Sequence, residues 1–528
     1  MNMEFINELT YENYLKNNKR NIFHKKFDNA IISVKNSFGD TNYPNIIDNQ
    51  KIYTKNKYKH TSPIDNRIII GYVSKITDKL INRAIDSSYH SFKIWSRTDY
   101  HNRIKILRKA ANIMKSRKFE LAALLTFENG KNRYESIADI DEAIDFINYY
   151  CSDMINNNGY ITITTKRTKD EKNLSYMKPY GVWGIISPFN FPAAILVGMS
   201  IGAIISGNTA VIKPASNTPI IGFKIAEILI EAGIPPGVFN YIIGDGNIIG
   251  KILVNNKKIS GIVFTGSKDV GFNIFKNSST VKPRPIIAEL GGKNPTIVTE
   301  SADLDKAAEG VSKAAFSYGG QKCSACSRVY VQKNKKNIFI EKLISKVTKI
   351  NIDNPKNINS DLGPVINSTA LRNYQKYVNI AEKDGNILYG GKIIDKGDLK
   401  HGNYVMPTIV SDLSEENILL KKELFLPILC IDEYDSFEEA LSKCNNSEYG
   451  LTAGIYSDNK REINNFVDNI EAGVVYVNRQ KSSTTGALVG NQSFGGWKNS
   501  GISGKGTGGK YYLTQFMREQ SQTIMQTI

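Results

Sequence analysis

The chain has 528 residues, a formal net charge of +17, 41% hydrophobic and 23% charged residues. That balance belongs to a globular protein and excludes a disordered or fibrous one. The length exceeds a single core, since cores stop growing near about 250–300 residues. Lys and Arg are scattered without a dense basic tract, which argues against nucleic acid and leaves a positive field that favours anionic small molecules. Five cysteines, few and odd in number, argue against a disulfide framework and for a reducing, cytoplasmic setting. Glu4 and Glu8 stand where a secretory leader would carry its basic region, so no signal peptide is expected.

In chain order, residues 77–151 read as consecutive amphipathic helices; in the last, Ile137, Ile140, Ile144 and Ile147 repeat at helical spacing with Asp139, Asp141, Glu142 and Asp145 beside them. Tyr160 to Thr165 and the run up to Tyr180 form a polar hairpin around a charged tip. Such a hairpin seldom stands alone and is expected to pair with another subunit. Residues 181–212 lack a charged side chain until Lys213, but Pro188, Asn190 and Pro192 interrupt them, so a buried strand, turn and helix are expected instead of a membrane span. Strands and helices then alternate to Thr265, which predicts a parallel, doubly wound sheet. A second α/β run fills 293–477, and a Gly-rich stretch from Gly486 to Gly509 leads to a short C-terminal strand.

Several segments carry chemistry. Lys213-Pro214-Ala215-Ser216 ends a strand where open α/β sheets bind ligands. Phe264-Thr265-Gly266-Ser267 with Gly271 ends a strand and opens a helix, placing N–H groups toward a pyrophosphate, whereas Gly244-Asp245-Gly246 with Gly250 misses the usual spacing and reads first as a tight turn. Cys323 lies in Gly-Gly-Gln-Lys-Cys-Ser-Ala-Cys-Ser-Arg, where Lys322 and Arg328 would raise its thiolate fraction; a buried structural cysteine is the other reading. Cys323 and Cys326 lack further ligands at metal spacing, so no metal is expected. With no histidine in any motif, Glu289 in Glu-Leu-Gly-Gly-Lys-Asn-Pro is the candidate base, or else a salt-bridged structural acid. Asn190, in Ser187-Pro188-Phe189-Asn190-Phe191-Pro192, is an amide donor for an oxyanion or a turn cap.

Taken in order with Glu423-Leu424-Phe425-Leu426-Pro427 and Phe494-Gly495-Gly496, these motifs resemble the aldehyde dehydrogenase superfamily from about residue 40 to the end. The resemblance implies an α/β fold with a Rossmann-like cofactor domain (1–159 and 181–290), an α/β catalytic domain (291–485), and a β-hairpin oligomerisation element with a C-terminal anchor loop and strand (160–180 and 486–528), hence a homo-oligomer. It implies that Cys323 attacks an aldehyde, Asn190 and the Cys323 N–H hold the oxyanion, and Glu289 activates the deacylating water. It assigns NAD, with NADP tolerated because Ser216 replaces a common Glu, to Ser187, Pro188, Phe189, Lys213, Ala215, Ser216, Gly246, Gly250, Phe264, Gly266, Ser267, Gly271, Leu290, Glu423 and Phe425. Glu128 to Asn132, Ala143 to Phe146 and Lys322 to Tyr330 look like the delta-1-pyrroline-5-carboxylate (glutamate-semialdehyde) dehydrogenase branch, implying oxidation of glutamate 5-semialdehyde to glutamate, with Phe191, Ser324, Gly486, Ala487 and Phe494 around the substrate. The loop after Asn478 is longer than usual in that branch, and Ser493 stands where Pro is common. Another small aldehyde, such as glyceraldehyde or succinate semialdehyde, and a non-catalytic protein on the same fold are the alternatives.

Overall fold

The computed structural model describes residues 5–480 and 488–525. Its first sheet has five parallel strands, β1 (Val182–Ile186), β2 (Thr209–Lys213), β3 (Phe239–Tyr241), β4 (Ile259–Thr265) and β5 (Ile286–Glu289), in the spatial order β3-β2-β1-β4-β5. This is the doubly wound order, with its switch point between β1 and β4. Asn45–Ile47 and Gln50–Ile52 extend one edge, and Gly501–Ile502 pairs antiparallel with β5 at the other. β2 is buried at every position, as a strand covered on both faces must be.

The charge-free stretch resolves as the core strand β1 and the 12-residue helix Ala194–Ile205, capped below by Trp95 Nε1 donating to the Ile204 carbonyl at 3.0 Å. Among the described residues no helix is long and apolar enough to cross a membrane. Helices Asp78–Trp95, Tyr100–Ser116, Lys118–Asn129 and Arg133–Asn156 fill the region read as helical, and the last packs along Ala194–Ile205. Its acids are not ordinary surface positions: Asp139, Asp141 and Asp145 are all buried.

The second sheet has seven strands in the order Asn386–Tyr389, Thr408–Ser411, Ile428–Tyr434, Cys326–Gln332, Asn294–Val298, Thr452–Tyr456 and Val474–Val477. All neighbours are parallel except the first pair. A third, antiparallel sheet holds the hairpin and joins it to the C-terminal strand. Glu171–Pro179 pairs with Ile161–Ile163 on one side and, from Met517↔Pro179 to Met525↔Glu171, with the chain's own C-terminal strand on the other. The long strand of the hairpin is therefore closed within the chain.

Candidate active site

The three turns read from the sequence as dinucleotide cradles, after β2, β3 and β4, all lie at the same, C-terminal, edge of the first sheet. Ser187, Pro188 and Phe189 follow β1, and the Ser187 N–H donates to the Lys213 carbonyl at 3.1 Å, tying that loop to β2. The Ser187 hydroxyl is buried and has no hydrogen-bond partner among the described residues. Lys213 ends β2, and burial pushes its ammonium down to about 8 against the opposing pull of Asp245. The Lys213 side chain approaches Gly246, while Ser216 accepts from Tyr58 Oη at 3.1 Å through its carbonyl.

The two candidate helix starts differ. Asp245 accepts from the N–H groups of Asn247 and Ile248 at 2.8 and 3.2 Å, so the helix bearing Gly246 and Gly250 already has its cap. The helix Lys268–Ser279, after Gly266 and Ser267, has no side-chain cap, and its free N–H groups face the ligand edge. Gly271 lies inside this helix against Leu290, so a Cβ there would strike the Leu290 side chain; its contribution is close packing. From the other sheet's side Phe425, at a left-handed φ of 58°, sets its ring edge-on to Phe189 at 5.7 Å.

Cys323 sits on the loop between the turn Ser317–Gly320 and the strand Cys326–Gln332. Tyr318, Gly319 and Gly320 all take positive φ, and a Cβ on Gly320 would meet the Leu426 carbonyl at 2.5 Å, so the glycine lead-in is needed for the chain to turn here. Gln321 locks the turn by accepting from the Ile366 N–H at 2.9 Å. Asn294 holds the loop from below: its amide donates to the carbonyls of Cys323 (2.6 Å) and Ala325 (2.9 Å) and accepts from the Thr452 N–H (3.0 Å). Asn190 is buried in the β1 loop, and among the described residues nothing hydrogen-bonds its amide.

The electrostatics overturn one expectation. Burial, then Glu423 and Glu289, push the Cys323 thiol up to about 12. The flanking cations do not offset this, because Lys322 pairs with Glu135 at 3.7 Å and Arg328 is buried, donating to the Lys293 and Cys444 carbonyls. The cationic neighbours in sequence are engaged by other partners, while two carboxylates distant in sequence act on the sulfur. Glu289 ends β5, and burial drives its carboxyl well above the usual range; among the described residues Oε2 has no hydrogen-bond partner. Glu423 packs on Gly291 and accepts from the Gly292 N–H at 3.0 Å, with burial pushing it to about 7.

Cys323 opens on a cavity of about 160 Å³. Phe191, Ser324 and Phe494 line it; Gly486 and Ala487 lie outside the described residues. Among the described residues no cluster of three or more His, Cys, Asp or Glu is placed to hold a metal.

Residues 51–522 match the aldehyde dehydrogenase family. The chain is 38% identical, over 95% of its length and 96% of the relative's, to 1-pyrroline-5-carboxylate dehydrogenase 1 of Halalkalibacterium halodurans. The chain belongs to the aldehyde dehydrogenase family. Its fold superposes on the Thermus 1-pyrroline-5-carboxylate dehydrogenase with bound NAD at a TM-score of 0.90 and 34% identity, covering 95% of this chain and 96% of that one. Betaine aldehyde dehydrogenase of Staphylococcus aureus in complex with NAD+ follows at 0.87 and 27%, covering 94% and 97%.

For a member of the aldehyde dehydrogenase family, the sequence reading missed much of the cavity wall. Lys131, Glu135 and Glu142 line it from the end of one helix and the flank of the next. Lys131 is fully buried, pairs with Asp139 at 2.9 Å and lies 3.8 Å over the Phe191 ring. Asp139 also accepts from the Ala194 N–H at 2.8 Å, fixing the start of the helix that follows the Asn190 loop. Burial, then Asp139, push Glu142 up to about 8. The motif from Glu128 to Asn132 was the available signal, but nothing local says that its lysine turns inward.

Proposed function

We propose that this chain oxidises L-glutamate 5-semialdehyde to L-glutamate with NAD, in proline catabolism. The observation that carries the reading is that the Cys323 thiol opens on a small cavity lined by the buried Lys131 ammonium and the half-buried carboxyl groups of Glu135 and Glu142, which suits a short aldehyde with a polar, ionised far end. The 1-pyrroline-5-carboxylate dehydrogenases to which the chain is similar along nearly its whole length act on the cyclic form of this aldehyde, as their name states.

The fit to a dinucleotide rests on the unpartnered Ser187 hydroxyl, the buried Lys213 ammonium and the uncapped helix after Ser267, all at the edge beside the β1/β4 switch point. Ser187, Pro188, Phe189, Lys213, Ala215, Ser216, Gly246, Gly250, Phe264, Gly266, Ser267, Leu290, Glu423 and Phe425 would hold it, and Lys213 with Ser216 leaves room for the 2′-phosphate of NADP. When bound, the cofactor accepts the hydride. In this reading the Cys323 thiol gives its proton up to solvent water, its sulfur bonds to the aldehyde carbon, and the carbonyl oxygen becomes an oxyanion received by the Asn190 amide and the Cys323 N–H. After oxidation to the thioester, Glu289 takes a proton from water, the water oxygen adds to the thioester carbon, and the C–S bond breaks to return the thiol. We also place the chain in the cytoplasm as a homo-oligomer; four of its five cysteines are buried singly and none is bonded, which suits a reducing compartment.

The test is steady-state kinetics on glutamate semialdehyde, succinate semialdehyde, glyceraldehyde and propionaldehyde, with NAD and with NADP. We expect the highest kcat/KM for glutamate semialdehyde, measurable NADP use, and loss of at least about 10³-fold in Cys323→Ala. Ser324→Ala is expected to cost about 10- to 100-fold on glutamate semialdehyde only, the loss of one charge-assisted hydrogen bond. A preference for glyceraldehyde or propionaldehyde overturns the substrate assignment.

A further inference from the structure

Beside the reaction cavity lies a larger cleft of about 690 Å³, edged by Lys313, Lys346 and Lys349. Glu8, Glu135, Ala138 and Lys322 line both spaces. We propose that the N-terminal turn Phe5–Glu8 is a specificity element: with Glu135 and Lys322 it forms a partition between cavity and cleft that limits the size of the aldehyde reaching Cys323. The proposal deepens the function proposed above and rests on it for the identity of the preferred substrate.

Three contacts build the partition. Asn7 and Glu8 reach the cavity because the N–H groups of Ile6 and Asn7 donate to the Asp145 carboxylate at 2.9 and 2.8 Å, 138 and more residues along the chain. The Phe5 ring packs where a Cβ on Gly490 would stand, which joins the turn to the segment supplying Leu488 and Val489 to the same cavity. On the far side, Lys322 is held by Glu135 at 3.7 Å. Glu8 itself takes φ 61°, a conformation a non-glycine residue keeps only where its surroundings impose it. The turn also lies outside residues 51–522, the part that matches the family at large, so the chemistry common to the family does not require it. Asp145 is thus a positioning residue, acting through the backbone it holds.

The test compares wild type, a chain lacking residues 1–8, and Asp145→Asn on glutamate semialdehyde, propionaldehyde and hexanal. Opening the partition is expected to raise kcat/KM for hexanal by about 10-fold, lower it for glutamate semialdehyde by about 10-fold through KM, and leave propionaldehyde within about 2-fold. Asp145→Glu, which keeps both acceptor oxygens, is expected to restore part of the wild-type selectivity. A gain on hexanal is a change that mere destabilisation does not produce. Unchanged hexanal kinetics in a truncated chain that still oxidises propionaldehyde overturns the proposal, and so does an equal loss on all three aldehydes. If wild type does not prefer glutamate semialdehyde but truncation still admits hexanal, the substrate assignment fails and the partition stands.

Discussion

At Cys323 the resting sulfur is held as a thiol, first by burial and then by two carboxylates. Of these Glu423 is the larger and titrates near 7, so it is ionised above neutral pH. Removing its charge lowers the cost of forming a thiolate. Glu423→Gln is therefore expected to speed alkylation of Cys323 by iodoacetamide at pH 9 by about 3- to 10-fold, a shift of up to about one pKa unit; an unchanged rate would mean that burial alone sets the thiol. Glu289 works in the opposite sense, as an acceptor. Its carboxyl is held above the usual range, so it is protonated at low pH and gains base strength as pH rises through that value. Thioester hydrolysis in wild type should rise with pH over the same window. Glu289→Gln should flatten that rise and yield a single-turnover burst of reduced cofactor followed by a stall, seen by stopped-flow absorbance. Equal slowing of both phases would place Glu289 earlier in the reaction.

Between residue and fold, the decisive element is the loop that carries the nucleophile. It has no regular structure of its own, and its geometry is borrowed from the strand Asn294–Val298 through the Asn294 side chain. One buried amide making three bonds to two segments is worth about 2–4 kcal/mol when removed, since the carbonyls it leaves are shut off from water. Asn294→Ala should lower the thermal midpoint and reduce kcat by at least about 10-fold with cofactor affinity preserved. Asn294→Asp has the right shape but cannot donate, and is expected to do no better. Wild-type kcat in either variant would show that the loop holds its shape unaided.

Across the whole molecule, the third sheet is the place to look for assembly. Its inner strand is saturated by the chain's own C-terminus, but Ile161–Ile163 leaves a free edge with Ile163 70% exposed, and Ile524 and Met525 are exposed on the opposite strand. Apolar unpaired edges invite pairing with another copy. If this edge carries the association, the double variant Ile161→Lys, Ile163→Lys should shift the mass measured by light scattering toward the monomer. An unchanged oligomer, or a wild-type monomer, removes the edge from consideration.

What the sequence determined by itself was local. Apolar runs broken by glycine and proline located β1, β2, β4 and the buried helix between the first two, because strand and helix periods are properties of adjacent residues. The motifs around Asn190, Glu289, Cys323 and Glu423 likewise marked positions where glycine and proline shape a turn. Tertiary structure decided what faces what. Helical spacing showed that Asp139, Asp141 and Asp145 lie beside an apolar stripe, yet only the fold supplies Lys131, Lys118 and the Ile6 and Asn7 N–H groups that make their burial tolerable. It also engaged Lys322 with Glu135 and Arg328 with buried carbonyls, and brought Glu289 and Glu423 to bear on the sulfur. Electrostatic energy depends on separation in space, and the chain distance between these partners carries no record of it.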